Sequence, residues 1–374
     1  MPRHGGHPDG DGALAWWFLG LLVAAFAVYL AGVWLARRAP PRVALVAALA
    51  VAVQTAPLAA PLLLSTDAWT YWDEGRIAAV HGGNPYRDVP SRFAGDLAYP
   101  FVGTAWRDTT TVYGPAFTLA SEPIARAAGS SADCAAWIFK SLAAVAVLAA
   151  AFLASRLSRR PAVALALVGW NPLFAVHFAG GGHNDAWLAA LVVAALAAGA
   201  AGRRQLAGVC WALASLVKWV PLLLLPLRAL EARATGRRVG HWGFAATALL
   251  VCALATWRYG LSWLNAFTSL ARNANLETQF AIPHRVQQLG VPHGVAVWSF
   301  ATAFAVAYVW FLLEAWRGRA RLGLATAALL LATPYLAAWY AIWTLPLAAA
   351  EDDDRAALLG VLLCAYLLRQ AIPL

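Results

Sequence analysis

Ser65-Thr66-Asp67-Ala68-Trp69-Thr70-Tyr71-Trp72-Asp73-Glu74-Gly75-Arg76 follows directly on an apolar run that ends Leu62-Leu63-Leu64 and is long enough to cross a bilayer. Acids and aromatics interleave immediately after a membrane-length segment, and Gly83-Asn84-Pro85-Tyr86 then supplies a turn that folds the acidic stretch back over the membrane surface. Such an arrangement suits the holding of a polar substrate at a lipid interface. Outward from this stretch, 61% hydrophobic residues, 12% charged residues and a mean hydropathy of +0.62 leave too little polar surface for a soluble globule. The chain reads as an all-α, polytopic membrane protein forming a single unit over residues 1–374.

The net charge of +10 does not indicate nucleic acid. The arginines stand in short clusters between apolar runs, at Arg37-Arg38, Arg159-Arg160, Arg203-Arg204, Arg237-Arg238 and Arg317 to Arg321, as expected of cytoplasmic loops. Cys134, Cys210, Cys252 and Cys364 fall inside apolar runs without metal-ligand spacing and read as small core residues. The polar stretch Met1 to Gly12, with Asp9 and Asp11, precedes an apolar run too long for a signal peptide, so that run is expected to be a retained first span.

At roughly 20 residues per crossing, candidate spans are 13–36, 43–64, 132–155, 161–179, 185–202, 206–229, 243–262, 294–316, 322–349 and 355–371. This predicts a bundle of about 10 to 12 membrane helices with a large first loop carrying short interfacial helices. With Arg37, Arg38 and Arg42 inside, the loop 65–131 lies outside the cytoplasm. A single crossing by 206–229 would put Arg228, Arg233, Arg237 and Arg238 on the wrong side. Lys218-Trp219-Val220-Pro221 resolves this by breaking the segment into two short helices that enter and leave on the cytoplasmic side. Thr333-Pro334-Tyr335 marks a similar break, while Glu351-Asp352-Asp353-Asp354-Arg355 is too mixed to fix the side of the C-terminus.

Three polar connections then share one face: 65–131, Gly180-Gly181-Gly182-His183-Asn184-Asp185, and 263–293. The first carries Asp67, Asp73, Glu74, Asp88, Asp96, Asp108 and Glu122 of the chain's 18 acids. The third holds Arg272, Asn273, Asn275, Glu277, His284, Arg285, Gln287, Gln288 and His293, mostly cationic and amide side chains. Asp67 sits near the membrane boundary, where a general base reaches a hydroxyl while a lipid tail stays in the bilayer; the plainer alternative is a helix cap by Thr66 or Asp67. Asp73 and Glu74 lie within two helical turns of Asp67, so a second acid or a divalent metal is compatible with them, as is a solvated helix face. Trp69, Tyr71 and Trp72 suit either an interfacial belt or sugar stacking. Tyr113-Gly114-Pro115 reads as a turn before a helix over 116–128. Asn171-Pro172 within a span and the glycine-rich His183-Asn184-Asp185 turn are costly in lipid and therefore functional candidates, with Asp185 also able to cap the next helix. Lys218 either snorkels or neutralises a phosphate.

The ordered set D-x3-Y-x-D-E-G-R-x7-N-P-Y over Asp67 to Tyr86, Tyr113-Gly114-Pro115, Asn171-Pro172-Leu173, His183-Asn184-Asp185 and Lys218-x2-Pro221 resembles the GT-C class of integral membrane glycosyltransferases. More closely, it resembles the actinobacterial polyprenol-phosphate-mannose-dependent mannosyltransferases, from about residue 60 to 350. The resemblance implies a polyprenyl-phosphate sugar donor, a glycan or glycolipid acceptor, and inverting hexosyl transfer, with mannose the default sugar. It places the protein in a bacterial plasma membrane with the site facing outward, and by position it makes Asp67 the base. The expected donor site comprises Tyr71, Asp73, Glu74, Arg76, Asn84, Tyr86, Tyr113, His183, Asn184, Asp185, Lys218 and Arg272, with Arg285 a further cation. No cofactor is required by this scheme, though a divalent metal is compatible with it. A transporter or flippase of a lipid-linked or small polar solute is the competing class; the acids crowd one interface rather than the midplane and no internal repeat is evident, which weighs against it.

Overall fold

The computed structural model describes residues 12–268 and 276–373, all of them helix, turn or coil with no strand. Among the described residues, four helices are long and apolar enough to cross a membrane: Gly12–Arg38 (α1), Ala132–Leu157 (α5), His241–Thr268 and His293–Trp316. A fifth span results if Pro161–Gly169 (α6) and Pro172–Gly180, bent by 41°, are taken together. The other apolar segments are shorter. Val43–Thr55 (α2) has 13 residues, Asp185–Ala200 (α8) 16, Arg204–Val217 (α9) 14, Pro221–Ala234 (α10) 14 and Leu322–Ala332 11. At 1.5 Å per residue these rise about 16 to 24 Å, less than the ~30 Å of a hydrocarbon core.

The breaks have local causes. After α9, Lys218 is extended (φ −154°, ψ 147°) and Pro221 starts α10 at a position where its missing N–H is harmless. The expected single run 322–349 divides at Thr333-Pro334 into Leu322–Ala332, a 3-10 turn Ala338–Trp343, and Leu345–Glu351. At Asn171 the side-chain oxygen accepts from the N–H groups of Leu173 and Phe174, capping the short helix Pro172–Phe174 (α7), which passes into a π-helical turn Ala175–Gly180. Asn171 is buried and its amide nitrogen meets Cys364 Sγ. Its role is thus to make the bend, rather than to line a site.

One end of the bundle gathers the arginine clusters. Arg37 and Arg160 both pair with Asp354, at 3.1 and 2.9 Å, and Ser158 donates to Asp352 at 2.5 Å. Arg321 pairs with Asp353 at 3.0 Å, and Glu314 with Arg317 and Arg319 at 3.1 and 2.9 Å. The acidic run 351–354, ambiguous in sequence, therefore belongs to the arginine face, and the helix Asp354–Tyr366 carries the chain away from it. α9 starts on this face, turns at Lys218, and α10 returns to it, as the Lys218-Trp219-Val220-Pro221 break predicts. Large side chains on the long helices, among them Trp17, Trp257 and Trp298, project outward as lipid-facing surface requires.

Between α2 and α5 the chain forms a 3-10 turn Ala56–Ala59, helix Asp67–Ala79 (α3), three further 3-10 turns and helix Pro115–Ala128 (α4). Gly75 lets α3 and α4 touch, since a Cβ there would collide with Ser121 and Ala125. The helix predicted after Gly114 is thus present, and α3 is buried along nearly its whole length instead of presenting a solvated face.

Candidate active site

Asp67 opens α3 behind a strained lead-in. Leu64 has φ 57°, unfavourable for a branched side chain, and the Leu63 N–H donates to the Gly180 carbonyl at 2.9 Å. Buried Lys140 of α5 grips the same lead-in by donating to the carbonyls of Leu58, Ala60 and Pro61, at 2.6 Å for Ala60. The expected cap is not formed, because neither the Thr66 nor the Asp67 side chain bonds the helix N–H groups. Instead Asp67 Oδ2 lies 3.1 Å from His183 Nδ1 and accepts the Tyr71 hydroxyl at 3.3 Å, and the Tyr113 hydroxyl donates in turn to Tyr71 at 3.4 Å. The Ser65 side chain adds a further hydrogen bond to this carboxylate, and 17% of the Asp67 side chain stays exposed.

His183 reaches Asp67 because Gly182 adopts φ 74° and sits so close to Ala68 and Phe139 that a side chain would be crowded. The imidazole stacks on Trp339, with centroids 3.7 Å apart and planes at 14°. An ionised carboxylate only accepts, so Nδ1 donates to it. Burial by itself raises the Asp67 carboxyl, but the hydrogen bond and charge of His183, with help from Ser65 and Lys218, hold it below its ordinary 3.8.

Asp185 also does not cap its helix. Its Oδ1 accepts Lys218 Nζ at 2.7 Å and Trp343 Nε1 at 2.8 Å, tying the start of α8, the α9–α10 turn and the 338–343 turn together. The ammonium of Lys218 lies over the Tyr340 ring at 4.7 Å. Gly114 brings α4 onto the same turn, its N–H donating to the Val217 carbonyl at 3.0 Å while a Cβ would strike the Leu216 carbonyl.

Tyr71, His183 and Asp185 stand behind the lining of a cavity of about 1290 Å³, larger than the 300–1,000 Å³ usual for small-molecule sites. Asp67, Glu74, Tyr113, Lys218, Tyr335 and Trp339 line its polar part. Phe18, Leu62 to Leu64, Leu222, Leu223 and Leu329 line an apolar part. Glu74 is buried, bonded to Thr111, and pushed up to about 8 by burial, the Asp73 and Asp67 charges adding to the shift, so it is protonated at neutral pH.

Several residues expected here are elsewhere. Arg76 is locked to Asp96 through Nε at 2.7 Å and a second guanidinium nitrogen at 3.0 Å, which holds the Asp96 carboxyl down at about 2 despite burial. Asn84 and Tyr86 brace the turn: Asn84 donates to the Tyr259 carbonyl at 2.8 Å, and the Tyr86 hydroxyl to Thr118 at 2.9 Å. Asp73 is buried outside the cavity lining with neither oxygen bonded among the described residues, and burial with the nearby Asp96 charge raises it to about 7. Asn184 is buried beside the site, also off the lining. Arg285 bonds Tyr366 and Gln288, and Glu277 gathers His284, His293 and Gln287 in a separate cluster. Arg272 lies outside the described residues. Among the described residues no group of three or more His, Cys, Asp or Glu side chains is placed to hold a metal, so Asp67, Asp73 and Glu74 do not form a ligand set.

Three participants carried no distinct sequence signal. Arg107 was one of several loop arginines, yet it lines the cavity, and its guanidinium donates to the Val102 and Pro100 carbonyls with no carboxylate partner among the described residues. Trp339 and Trp343 stood in an apolar run, and only the break at Thr333-Pro334 hinted that their segment turns inward.

Known proteins similar to this chain carry the name alpha-(1->6)-mannopyranosyltransferase. The probable alpha-(1->6)-mannopyranosyltransferase of Mycolicibacterium smegmatis is 27% identical over 356 residues, covering 78% of this chain and 62% of the relative. Alpha-(1->6)-mannopyranosyltransferase A of Mycobacterium tuberculosis is 26% identical over 340 residues, covering 81% and 65%. The Corynebacterium glutamicum protein of the same name is 26% identical over 255 residues, covering 61% and 51%. The chain thus spans less than two thirds of the length of these relatives. No solved structure matches it. Residues 7–234, more than half of the sequence and including Asp67, His183, Asp185 and Lys218, match the family described as alpha-(1->6)-mannopyranosyltransferase, N-terminal domain, and the chain belongs to that family.

Proposed function

We propose that this chain transfers a hexose, mannose by family, from a polyprenyl-phosphate donor to a glycan or glycolipid acceptor at the extracytoplasmic side of a bacterial plasma membrane, with inversion and with Asp67 as general base. The observation that carries this is the Asp67 carboxylate, held through Oδ2 by His183 and Tyr71 at the wall of a cavity that is part polar and part apolar. With the arginine face in the cytoplasm, the short helices rise at most about 24 Å toward the site. The cavity floor then lies within the bilayer thickness, where a lipid-linked sugar is reachable without leaving the membrane. In this reading the short helices also cross or half-cross it, restoring the count of about 10 to 12.

In the proposed step, Asp67 Oδ1 takes the proton of an acceptor hydroxyl as that oxygen bonds to the anomeric carbon. The bond from that carbon to the donor phosphate oxygen breaks on the opposite face, and the phosphate leaves with the electron pair. A carboxylate of low pKa suffices because the hydroxyl grows strongly acidic as the new bond forms, so proton transfer comes late and the base is fully ionised beforehand. Arg107 and Lys218 are the cavity cations for the departing phosphate; Lys218 already shares Asp185, which leaves Arg107 with the larger uncompensated charge. Trp339, Tyr340 and Tyr335 offer ring faces for sugar stacking, while the leucines and Phe18 accommodate the first isoprene units. No step is routed through a metal.

Asp67→Asn tests the assignment. In membranes supplied with labelled polyprenyl-phosphate mannose and acceptor, the variant should lose about 10²- to 10⁴-fold in rate at unchanged protein level. Retention of near wild-type rate would remove Asp67 as base. A wild type that moves the lipid across vesicles without consuming donor would replace the transferase reading with a transporter.

A further inference from the structure

The basic clusters on the arginine face are not equivalent. Arg37, Arg160, Arg317, Arg319 and Arg321 are paired with Asp354, Glu314 or Asp353. In contrast, Arg203 and Arg204 on the turn between α8 and α9, and Arg233, Arg237 and Arg238 at the end of α10 and the turn that follows, are exposed and have no carboxylate partner among the described residues. The two turns are one surface. Gly240 packs so tightly on the Arg204 carbonyl that no Cβ would fit, and the Gly243 N–H donates to Gln205 Oε1 at 2.7 Å. Glu231, the acid at this corner, is already occupied by Arg228 and the Ala320 N–H. Arg233 lies over the Trp316 ring at 5.7 Å. Trp242, 80% exposed, and Leu206 border the patch with apolar surface, as at a membrane–water interface.

We propose that this corner binds the phosphate headgroup of an anionic phospholipid, with Arg203, Arg204, Arg237 and Arg238 around the headgroup and Trp242 anchored among the acyl chains. The orientation rule accounts for arginines on this face, but paired arginines such as Arg160 satisfy it as well. Five like charges fixed on two interlocked turns repel one another unless an anion lies between them, and the two phosphates of a cardiolipin-type headgroup match a patch of that charge. The site lies at the opposite end of the bundle from Asp67 and does not depend on the transferase reading.

The test uses the purified full chain in detergent, with cardiolipin and phosphatidylcholine as probes and native mass spectrometry as readout of retained lipid. Wild type should retain cardiolipin selectively, with retention falling as salt is raised. Since each basic side chain near an anionic lipid contributes about fivefold, R203Q/R204Q/R237Q/R238Q should weaken cardiolipin binding by about 600-fold. The matching Arg→Lys quadruple variant should keep most of it, and separates loss of charge from loss of fold, which size-exclusion profiles of both variants check. Equal retention of the two lipids by wild type, binding indifferent to salt, or undiminished cardiolipin retention by the Gln variant would overturn the proposal.

Discussion

Replacing His183 by Ala removes the 3.1 Å contact to Asp67 Oδ2 while leaving the Tyr71 hydroxyl in place. A hydrogen bond to a charged group contributes about 1.5–3 kcal/mol. At about 1.4 kcal/mol per decade, its loss should reduce kcat/KM by about 10- to 100-fold at neutral pH. The pH profile separates this from simple misfolding. His183 lowers the Asp67 carboxyl against burial, which raises it; without the imidazole, burial is less opposed and the carboxyl moves up. The base acts when ionised, so the acid limb of kcat/KM should shift to higher pH in H183A, with part of the lost activity recovered as pH rises. The assay is transfer from labelled polyprenyl-phosphate mannose across a pH series, wild type beside variant, with protein level measured in each membrane. An acid limb that stays in place or moves to lower pH would refute the argument that His183 holds the base ionised. A loss of similar size in W339A, with the same displacement of the limb, is expected because Trp339 orients the imidazole by stacking on it.

Glu74 is protonated below about 8, so E74Q should be nearly neutral for transfer at pH 7 and should abolish the alkaline fall expected of wild type as a second negative charge appears beside Asp67. Because the folded chain keeps that proton while an unfolded one releases it above 4.5, E74Q should also gain thermal stability relative to wild type as pH climbs from 4.5 toward 8. R107Q should raise KM for the phosphate-linked donor by about 10- to 100-fold, the worth of one charge-assisted contact, with expression and melting temperature unchanged; an unaltered KM would remove Arg107 from the phosphate site. Breaking the Asp185–Lys218 pair by D185N leaves a nearly buried ammonium uncompensated and should cost about 3–5 kcal/mol, read as a lower melting temperature, whereas D185L/K218M should regain much of that stability without regaining transfer.

Fold class and much of the site were legible because membrane burial makes polar residues conspicuous. His183, Asp185 and Lys218 stood out within apolar sequence, and the proline after Lys218 marked the turn that brings it to Asp185. Arg76, Asn84 and Tyr86 lie off the cavity lining, which was not legible because a motif in sequence does not say which way a buried helix faces. Arg76 points away from the cavity to Asp96, 20 positions on, and the Asn84 and Tyr86 side chains hold the turn against Tyr259 and Thr118. Arg107 and Trp339 were missed for the opposite reason. One lies in irregular backbone with no periodicity to orient it, and the other in an apolar run where an aromatic ring carries no contrast.

A polar cavity at membrane depth demands that helices end there, and each such end exposes backbone groups that lipid cannot satisfy. This chain meets that demand with side chains that are not themselves reactive. Lys140 takes the carbonyls at Leu58, Ala60 and Pro61, Asn171 takes the N–H groups of Leu173 and Phe174, and the Thr333 hydroxyl donates to the Tyr335 carbonyl. The broken ends are then joined to one another by Asp185, through Lys218 from one hairpin and Trp343 from another. Asp67 is thereby freed from capping its own helix, and its carboxylate faces His183 on one oxygen and the cavity on the other. On this account the residues that satisfy the breaks determine the placement of the proposed base. A variant such as K140M, off the cavity lining itself, should therefore lower kcat more than it raises KM, because it releases the segment that delivers Asp67 while leaving the cations and ring faces of the cavity in place. A rise in KM at constant kcat would instead make Lys140 part of substrate binding and contradict this division of labour.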